Sequence, residues 1–279
     1  MTDRYCVFGN PVSHSKSPAI HAAFAAQCRQ DISYQAILAA RDGFAASVHS
    51  FVAAGGRGAN VTIPFKEEAY RLATRLTARA QLAGAVNTLL FDGADILGDN
   101  TDGAGLLRDL SLNLACPIAG KRVLLLGAGG AARGAVAPLL DAAPAALVIA
   151  NRSVARARDL AQGFGRSGSP SACGYRALAG QSFDLVINAT SASLAGELPP
   201  LPAALFASGS LAYDMMYADG GTPFLAFAGE QGAARLADGL GMLVEQAAEA
   251  FLLWRGVRPD GAPVMAMLRP IDPGIAARR

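Results

Sequence analysis

The feature that most constrains this chain is Gly127-Ala128-Gly129-Gly130-Ala131-Ala132, which directly follows the apolar run Val123-Leu124-Leu125-Leu126 and opens a helical pattern over 130–140. The stretch fits GxGxxA through Gly127, Gly129 and Ala132. That spacing alone carries little weight in a chain rich in glycine and alanine. Its context carries more: a buried-type strand, a tight turn and a helix start are what a dinucleotide-binding unit requires. Gly127 permits the turn, Gly129 lets the backbone approach a pyrophosphate, and Ala132 keeps the helix close to the strand. Ala128, Gly130 and Ala131 complete the loop, whose phosphates would sit on the free N–H groups of the helix N-terminus. The competing reading is a glycine-rich turn with no ligand.

The next strand, Ala146–Ala150, ends at Asn151-Arg152-Ser153, with Arg156 one turn later. An NAD-preferring enzyme usually places Asp or Glu here for the ribose 2′-hydroxyl. A carboxylate would repel a 2′-phosphate, whereas guanidinium groups bind it bidentately. Arginine at this point therefore favours NADP over NAD, unless Arg152 and Arg156 simply solvate a helix start.

Before this unit, Tyr5–Phe8, Ser33–Leu38, Ala59–Ile63 and Ala85–Phe91 read as strands, with Asp95–Asp99 as a further short one. Pro18–Cys28, Gly43–Ala54 and Lys66–Ala78 read as helices between them. That alternation implies an α/β unit with a mostly parallel sheet. A helix from about Gly103 to Leu114 reads as the connector to the second unit. There, helices 130–140 and 153–162 alternate with strands Ala146–Ala150, Phe183–Asn188 and Leu211–Asp214, and 163–174 reads as a loop. The chain is helical again from about Gly241. Two α/β domains are expected, residues 1–103 and a Rossmann domain over 104–240, with the active site in the cleft between them. At 279 residues the length agrees with two domains.

Composition narrows the partners. A net charge of +2 argues against nucleic acid as the main partner. No apolar run approaches the ~18 residues of a membrane helix, and Met1–Tyr5 does not read as a secretory signal, so no membrane partner and a cytoplasmic protein are expected. Cys6, Cys28, Cys116 and Cys173 form no CxxC pair and the histidines number three, so neither a metal site nor a disulfide framework is expected.

The first half carries polar clusters at strand and helix ends, where α/β sheets gather ligands. Ser13-His14-Ser15-Lys16-Ser17-Pro18 precedes a helix. Pro18 suits the first helical position, making Ser17 a natural N-cap, while Ser15 and Ser17 at a helix N-terminus also suit a carboxylate. Asn60-Val61-Thr62-Ile63-Pro64-Phe65-Lys66 hands a strand over to a helix. Lys66, beside Glu67 and Glu68, reads equally as a solvated lysine. Asp102, in Asn100-Thr101-Asp102-Gly103, reads equally as a helix cap.

Taken together these motifs resemble the shikimate dehydrogenase family. The resemblance runs through Gly9-Asn10-Pro11, Ser15-Lys16-Ser17-Pro18, Asn60–Lys66, Gly84-Ala85-Val86-Asn87-Thr88 and Asn100–Gly103. It continues through Gly127–Ala132, Asn151-Arg152-Ser153, Asn188-Ala189-Thr190-Ser191, Asp214-Met215-Met216-Tyr217 and Gly239–Ala247. It covers nearly the whole chain. Ser171–Gln181 matches nothing usable, Met216 and Ala192-Ser193 read as variable positions without evident consequence, and the basic tail Arg269–Arg279 reads as a solvated end.

The resemblance implies NADP-dependent, reversible reduction of 3-dehydroshikimate to shikimate, within chorismate and aromatic amino-acid biosynthesis. It implies that Ser15 and Ser17 bind the substrate carboxylate, with Tyr217 near that end. Asn60, Thr62, Asn87 and Gln246 would hydrogen-bond the ring hydroxyls, Lys66 and Asp102 would form the catalytic pair, and Thr190, Met215 and Gly239 would line the nicotinamide side. The family's C-terminal helices return to the first domain, so 241–279 would complete it. The implied partner is a small molecule, on a monomer or homodimer. Two alternatives remain open: a quinate/shikimate dehydrogenase of broader substrate and cofactor use, and a non-catalytic NADP-binding regulator. Retention of Lys66 with Asp102 weighs against the second.

Overall fold

Two sheets organise the chain, one on each side of the Asp102 connector. The computed structural model describes residues 2–164, 170–218 and 220–269. The first half runs β1 (Asp3–Gly9), α1 (Ser17–Cys28), β2 (Ile32–Leu38), α2 (Phe44–Ala53), β3 (Gly56–Val61), α3 (Lys66–Leu72), β4 (Arg75–Leu76), α4 (Ala78–Ala83), β5 (Thr88–Asp92) and β6 (Asp95–Asp99). Its sheet has the order β2-β1-β3-β5-β6-β4. The β2, β1 and β3 strands are parallel, as the alternating pattern predicts. β5 runs antiparallel to β3, and β5 and β6 form an antiparallel hairpin whose turn contains Gly93 at φ 60. That hairpin places Thr88 beside both Asn60 and Asp99, which brings three polar segments to one sheet end.

The connector differs from a plain helix. α5 (Asp102–Arg108) passes into a π-helical turn over Asp109–Asn113, where the Leu114 N–H reaches the Asp109 carbonyl. Buried Asp109 also accepts a 2.6 Å hydrogen bond from the Tyr213 hydroxyl, which ties the connector to the second sheet.

The second half runs β7 (Arg122–Leu126), α6 (Gly130–Asp141), β8 (Ala146–Ala150), α7 (Val154–Gln162), β9 (Ser171–Cys173), β10 (Phe183–Asn188), β11 (Phe206–Asp214), α8 (Pro223–Glu230) and β12 (Arg235–Ala237). Its sheet, in the order β12-β11-β10-β7-β8-β9, is parallel throughout. Leu124 and Leu126 point to one apolar core and Val123 and Leu125 to the other, as a strand covered on both faces requires. Residues 163–174 are not all loop: β9 adds an edge strand to β8. Residues 165–169 and the tail beyond Arg269 lie outside the described residues.

The last helices, α9 (Leu240–Arg255) and α10 (Ala262–Leu268), pack back on the first half. Val244, Ala247, Ala248, Phe251 and Val264 share a core with Ile20 and Phe24 of α1. Trp254 stacks on Tyr5 of β1 at 4.7 Å. Among the described residues no helix is long and apolar enough to cross a membrane.

Candidate active site

The polar clusters of the first half converge. The Lys66 ammonium donates to Asp102 Oδ2 at 2.5 Å, and the side chains are 17% and 6% exposed. The attraction in a pair this sheltered is screened less than at the surface but is offset by desolvation, and losing one partner would strand the other. The second Asp102 oxygen accepts from Asn87 Nδ2 at 2.8 Å. The helix start makes this possible. Asp102 is not the cap: α5 begins at Asp102, and its N–H goes to the Asn100 side chain at 3.2 Å. The carboxylate is thus left for Lys66.

Asn87 is the hub. Its amide nitrogen lies 2.9 Å from Thr101 Oγ1, 2.8 Å from Asp102 Oδ1 and 3.2 Å from Gln246 Oε1. An amide has two N–H groups for these three acceptors, so one acceptor can yield to a ligand hydroxyl. Its oxygen accepts from the Thr101 N–H at 2.8 Å and the Thr88 hydroxyl at 3.0 Å. Gln246 comes from α9, and its own amide donates to the Leu243 carbonyl at 2.8 Å. The segment is anchored from behind by Asp99, which accepts from Arg79 at 2.5 Å and Thr77 at 2.6 Å. Burial acts to raise the Asp99 pKa, but Arg79 and Thr77 outweigh it and hold the carboxyl below its usual range.

Thr62 sits at the end of β3, where its methyl packs on Gly9. A Cβ at Gly9 would lie 2.6 Å from that methyl, so only glycine leaves Thr62 in place. Ser15 and Ser17 lie at the start of α1, but Ser17 is not its N-cap. The helix begins at Ser17, the cap position is Lys16 already in helical conformation, and the Ser17 N–H lies 3.3 Å from Ser15 Oγ. Ser15 therefore supplies the local cap-like contact. Tyr217, from the second half, reaches this loop: Lys16 Nζ stands 5.8 Å from its ring centre. Burial pushes the Tyr217 phenol up, and a hydrogen bond with the Lys16 backbone opposes it.

The Gly127–Ala132 loop has the backbone geometry of a tight strand-to-helix turn. Gly127 adopts φ 111, and a Cβ there would lie 3.1 Å from the Ala189 carbonyl. A Cβ at Gly129 would meet nothing within 4 Å, so the turn opens onto free space. Gly130, at the start of α6, has no side-chain cap on its helix, leaving the first N–H groups for a ligand. Ala128 and Ala132 are buried, Ala132 completely, where the helix meets the sheet. A Cβ at Gly130 would lie 3.6 Å from Lys66 Cβ, so the lysine stem lies against this loop. Arg152 and Arg156 are exposed beyond β8, and neither forms an ion pair among the described residues. Asn151 donates to the Ser153 carbonyl at 3.0 Å, shaping the turn that presents them.

Thr190, Met215 and Gly239 meet on the same side. Thr190 Oγ1 donates to Asn188 at 2.7 Å, and its methyl flanks Gly127. A Cβ at Gly239 would lie 2.2 Å from the Met215 carbonyl, so the two strands' ends approach as only glycine allows. Asp214 holds this region together, accepting from Thr222 at 2.7 Å, Ser193 at 2.8 Å, Asn188 at 3.1 Å and the Met216 N–H at 3.0 Å. Ser193 therefore does have a consequence, whereas the Met216 contact is made by its backbone and asks nothing of its side chain. Three side chains near the site escaped the sequence reading: Thr101, His21 and Tyr34. Their only signal is position within motifs or strands whose meaning depends on distant neighbours.

Three family models match the chain: the shikimate dehydrogenase substrate binding domain over residues 7–89, shikimate/quinate 5-dehydrogenase over 110–195, and the shikimate 5′-dehydrogenase C-terminal domain over 239–268. A shikimate dehydrogenase (NADP(+)) from Dechloromonas aromatica strain RCB is 65% identical over 269 residues, covering 96% of this chain and 98% of the relative. The crystal structure of an Ael1 enzyme from Pseudomonas putida is 53% identical, with a TM-score of 0.89 over 96% of this chain and 98% of that one. Shikimate 5-dehydrogenase from Thermus thermophilus, solved with NADP(H) and shikimate, is 33% identical, with a TM-score of 0.83 over 95% and 98%. With that identity and coverage joined to the geometry above, the chain belongs to the shikimate dehydrogenase family.

Proposed function

We propose that this chain catalyses the reversible, NADP-dependent reduction of 3-dehydroshikimate to shikimate. The observation that carries the reading is the sheltered Lys66–Asp102 pair, 2.5 Å apart, with the lysine stem against Gly130 of the dinucleotide loop. The close relative named above is a shikimate dehydrogenase (NADP(+)), and the Thermus thermophilus protein holds NADP(H) and shikimate. The division of labour follows the two sheets: residues 1–103 with 241–279 hold the substrate, and 104–240 hold the cofactor.

The donor set fits a phosphorylated dinucleotide. The Gly127–Ala132 loop offers backbone N–H groups from Ala128 onward around an open turn, the Gly127 N–H being held by the Ala150 carbonyl, and Asn151, Arg152, Ser153 and Arg156 offer cations and amides with no carboxylate among them to repel a 2′-phosphate. Thr190, Met215 and Gly239 line the other end. When bound, NADPH supplies the hydride. The protein's part is positioning and proton management. Ser15, Ser17 and Tyr217 hold the substrate carboxylate, and Asn60, Thr62, Asn87 and Gln246 hold its hydroxyls. As the carbonyl is reduced, negative charge builds on its oxygen. Lys66 Nζ stabilises that charge and gives up a proton to it, and Asp102 keeps the ammonium aimed. Asn87 in turn fixes Asp102.

The test is absorbance at the NADPH band after shikimate and NADP are added to the purified protein, with quinate and NAD as the other arms. Growth of the band with shikimate and NADP supports the reading. Faster turnover of quinate would replace it with the broader-substrate dehydrogenase, and bound NADP without turnover would replace it with a regulator.

A further inference from the structure

Beneath the substrate residues lies a small aromatic group that the chemistry above does not use. His21 of α1 stacks on Tyr34 of β2, with ring centres 4.3 Å apart and planes within 10°. Trp254 of α9 closes the group, its ring 5.2 Å from that of His21. Both polar tips meet one atom: the Tyr34 hydroxyl is 2.7 Å from Asn60 Oδ1, and His21 Nε2 is 3.2 Å from it.

The directions of these bonds follow from what each group can do. Asn60 Nδ2 lies 3.3 Å from the Asn87 backbone carbonyl and 3.2 Å from Thr88 Oγ1. A carbonyl only accepts, so the edge of Asn60 facing it must be the N–H edge. The Asn60 oxygen therefore faces Tyr34 and His21, and both must donate. That places the histidine proton on Nε2. The buried Nδ1, which has no partner, is then a bare lone pair rather than an orphaned N–H. The opposite tautomer would set two lone pairs against each other and bury an unmatched donor as well. Burial, the main influence, depresses the His21 pKa to about 3, so the ring is neutral at physiological pH.

We propose that Tyr34 and His21 are positioning residues, which lock the Asn60 amide so that it presents N–H, not C=O, to a ring-hydroxyl oxygen of the substrate. Asn60 is 6% exposed, and its two N–H contacts lie near the long end of the hydrogen-bond range, so that edge is the one a ligand can draw on. The lock acts on ground-state and transition-state binding alike, and its loss raises KM with kcat kept. The inference rests on the activity proposed above.

The test is steady-state kinetics on shikimate. Tyr34→Phe removes one donor without changing the ring, and should raise the shikimate KM about tenfold, the factor of one hydrogen bond worth ~1.4 kcal/mol. The kcat and the NADP KM should stay within about twofold. His21→Leu should act in the same direction, and His21→Gln, which restores an amide N–H near the Nε2 position, should recover most of the loss. In an Asn60→Ala background Tyr34→Phe should add nothing, because residues in one network are non-additive. An unchanged KM in Tyr34→Phe, or its full effect on top of Asn60→Ala, overturns the positioning role while wild-type turnover of shikimate still stands. A wild-type protein that does not oxidise shikimate overturns the activity, and this role with it.

Discussion

The two halves prepare for their ligands in opposite ways. In the first, Asn60, Asn87, Asp102 and Gln246 are all less than 9% exposed and bonded to one another. In the second, the elements proposed to face the cofactor are an open glycine turn and two exposed arginines without carboxylate partners among the described residues. A saturated network of buried side chains is pre-organised but intolerant, since removing one member leaves another unsatisfied. A backbone cradle is tolerant in chemistry and intolerant in space. The first half therefore should fail by losing a group, and the second by gaining one.

The largest expected effect is in the first half. Lys66→Ala should lower kcat by ~10²-fold or more, the range of general acid–base catalysis, with little change in the shikimate KM. Initial rates at saturating NADP check this, and a variant with near-normal turnover would take Lys66 out of the chemistry. Next comes the second half, by addition. Gly129→Val should raise the NADP KM at least ~10-fold, because the new side chain enters the space a pyrophosphate needs. Its backbone, at φ −90, suits any residue, and nothing lies within 4 Å of its Cβ, so the melting temperature should hold. Gly127→Val is the contrast. At φ 111 and 3.1 Å from the Ala189 carbonyl it should lose stability as well as cofactor binding, by about 1–3 kcal/mol in thermal unfolding.

How much of this was legible follows the same division. The cofactor half is local: strand, turn, helix and the residues after the next strand lie within about thirty positions, as a βαβ unit does, and their spacing carries their meaning. The Lys66–Asp102 pair is not local. Only the likeness to a family joined two residues 36 apart along the chain; spacing alone left each as a surface lysine or a helix cap. Both helix starts came out one residue off, because Lys16 and Thr101 are already helical and the caps pass to Ser15 and Asn100. The antiparallel β5 hairpin was hidden because a buried strand reads alike in either direction. Tyr34 could not be seen at all: its strand shows ordinary alternation, and its role is defined by an oxygen on Asn60, 26 residues away.

A smaller effect sharpens the second half. Replacing Arg152 and Arg156 together with Ala should raise the NADPH KM by about tenfold, one charge-assisted contact's worth, and leave NADH unaffected. Equal changes for both cofactors would show that the arginines only solvate the start of α7. High salt should imitate the substitution in the wild type, because both guanidinium groups are exposed and screened.

The last effect concerns acid stability, and it separates the halves without any ligand. All three histidines lie in the first half, and only His21 is buried. Its pKa falls from 6.5 to about 3 on folding because burial disfavours the cation. Between those values the unfolded chain binds a proton that the folded chain refuses. Stability from this residue is therefore fully present above pH 6.5 and declines as the pH falls, with a limiting slope of about 1.4 kcal/mol per pH unit. His21→Gln keeps a donor toward Asn60 but has no proton to refuse. Denaturant midpoints at pH 7.5, 5.5 and 4.5 should converge for wild type and variant as the pH drops, with other groups cancelling in the difference. Parallel curves would mean that His21 takes up its proton alike in the folded and unfolded chain, and below pH 6.5 the Nε2–H donor to Asn60 would then belong to an imidazolium held in the core rather than to a neutral ring.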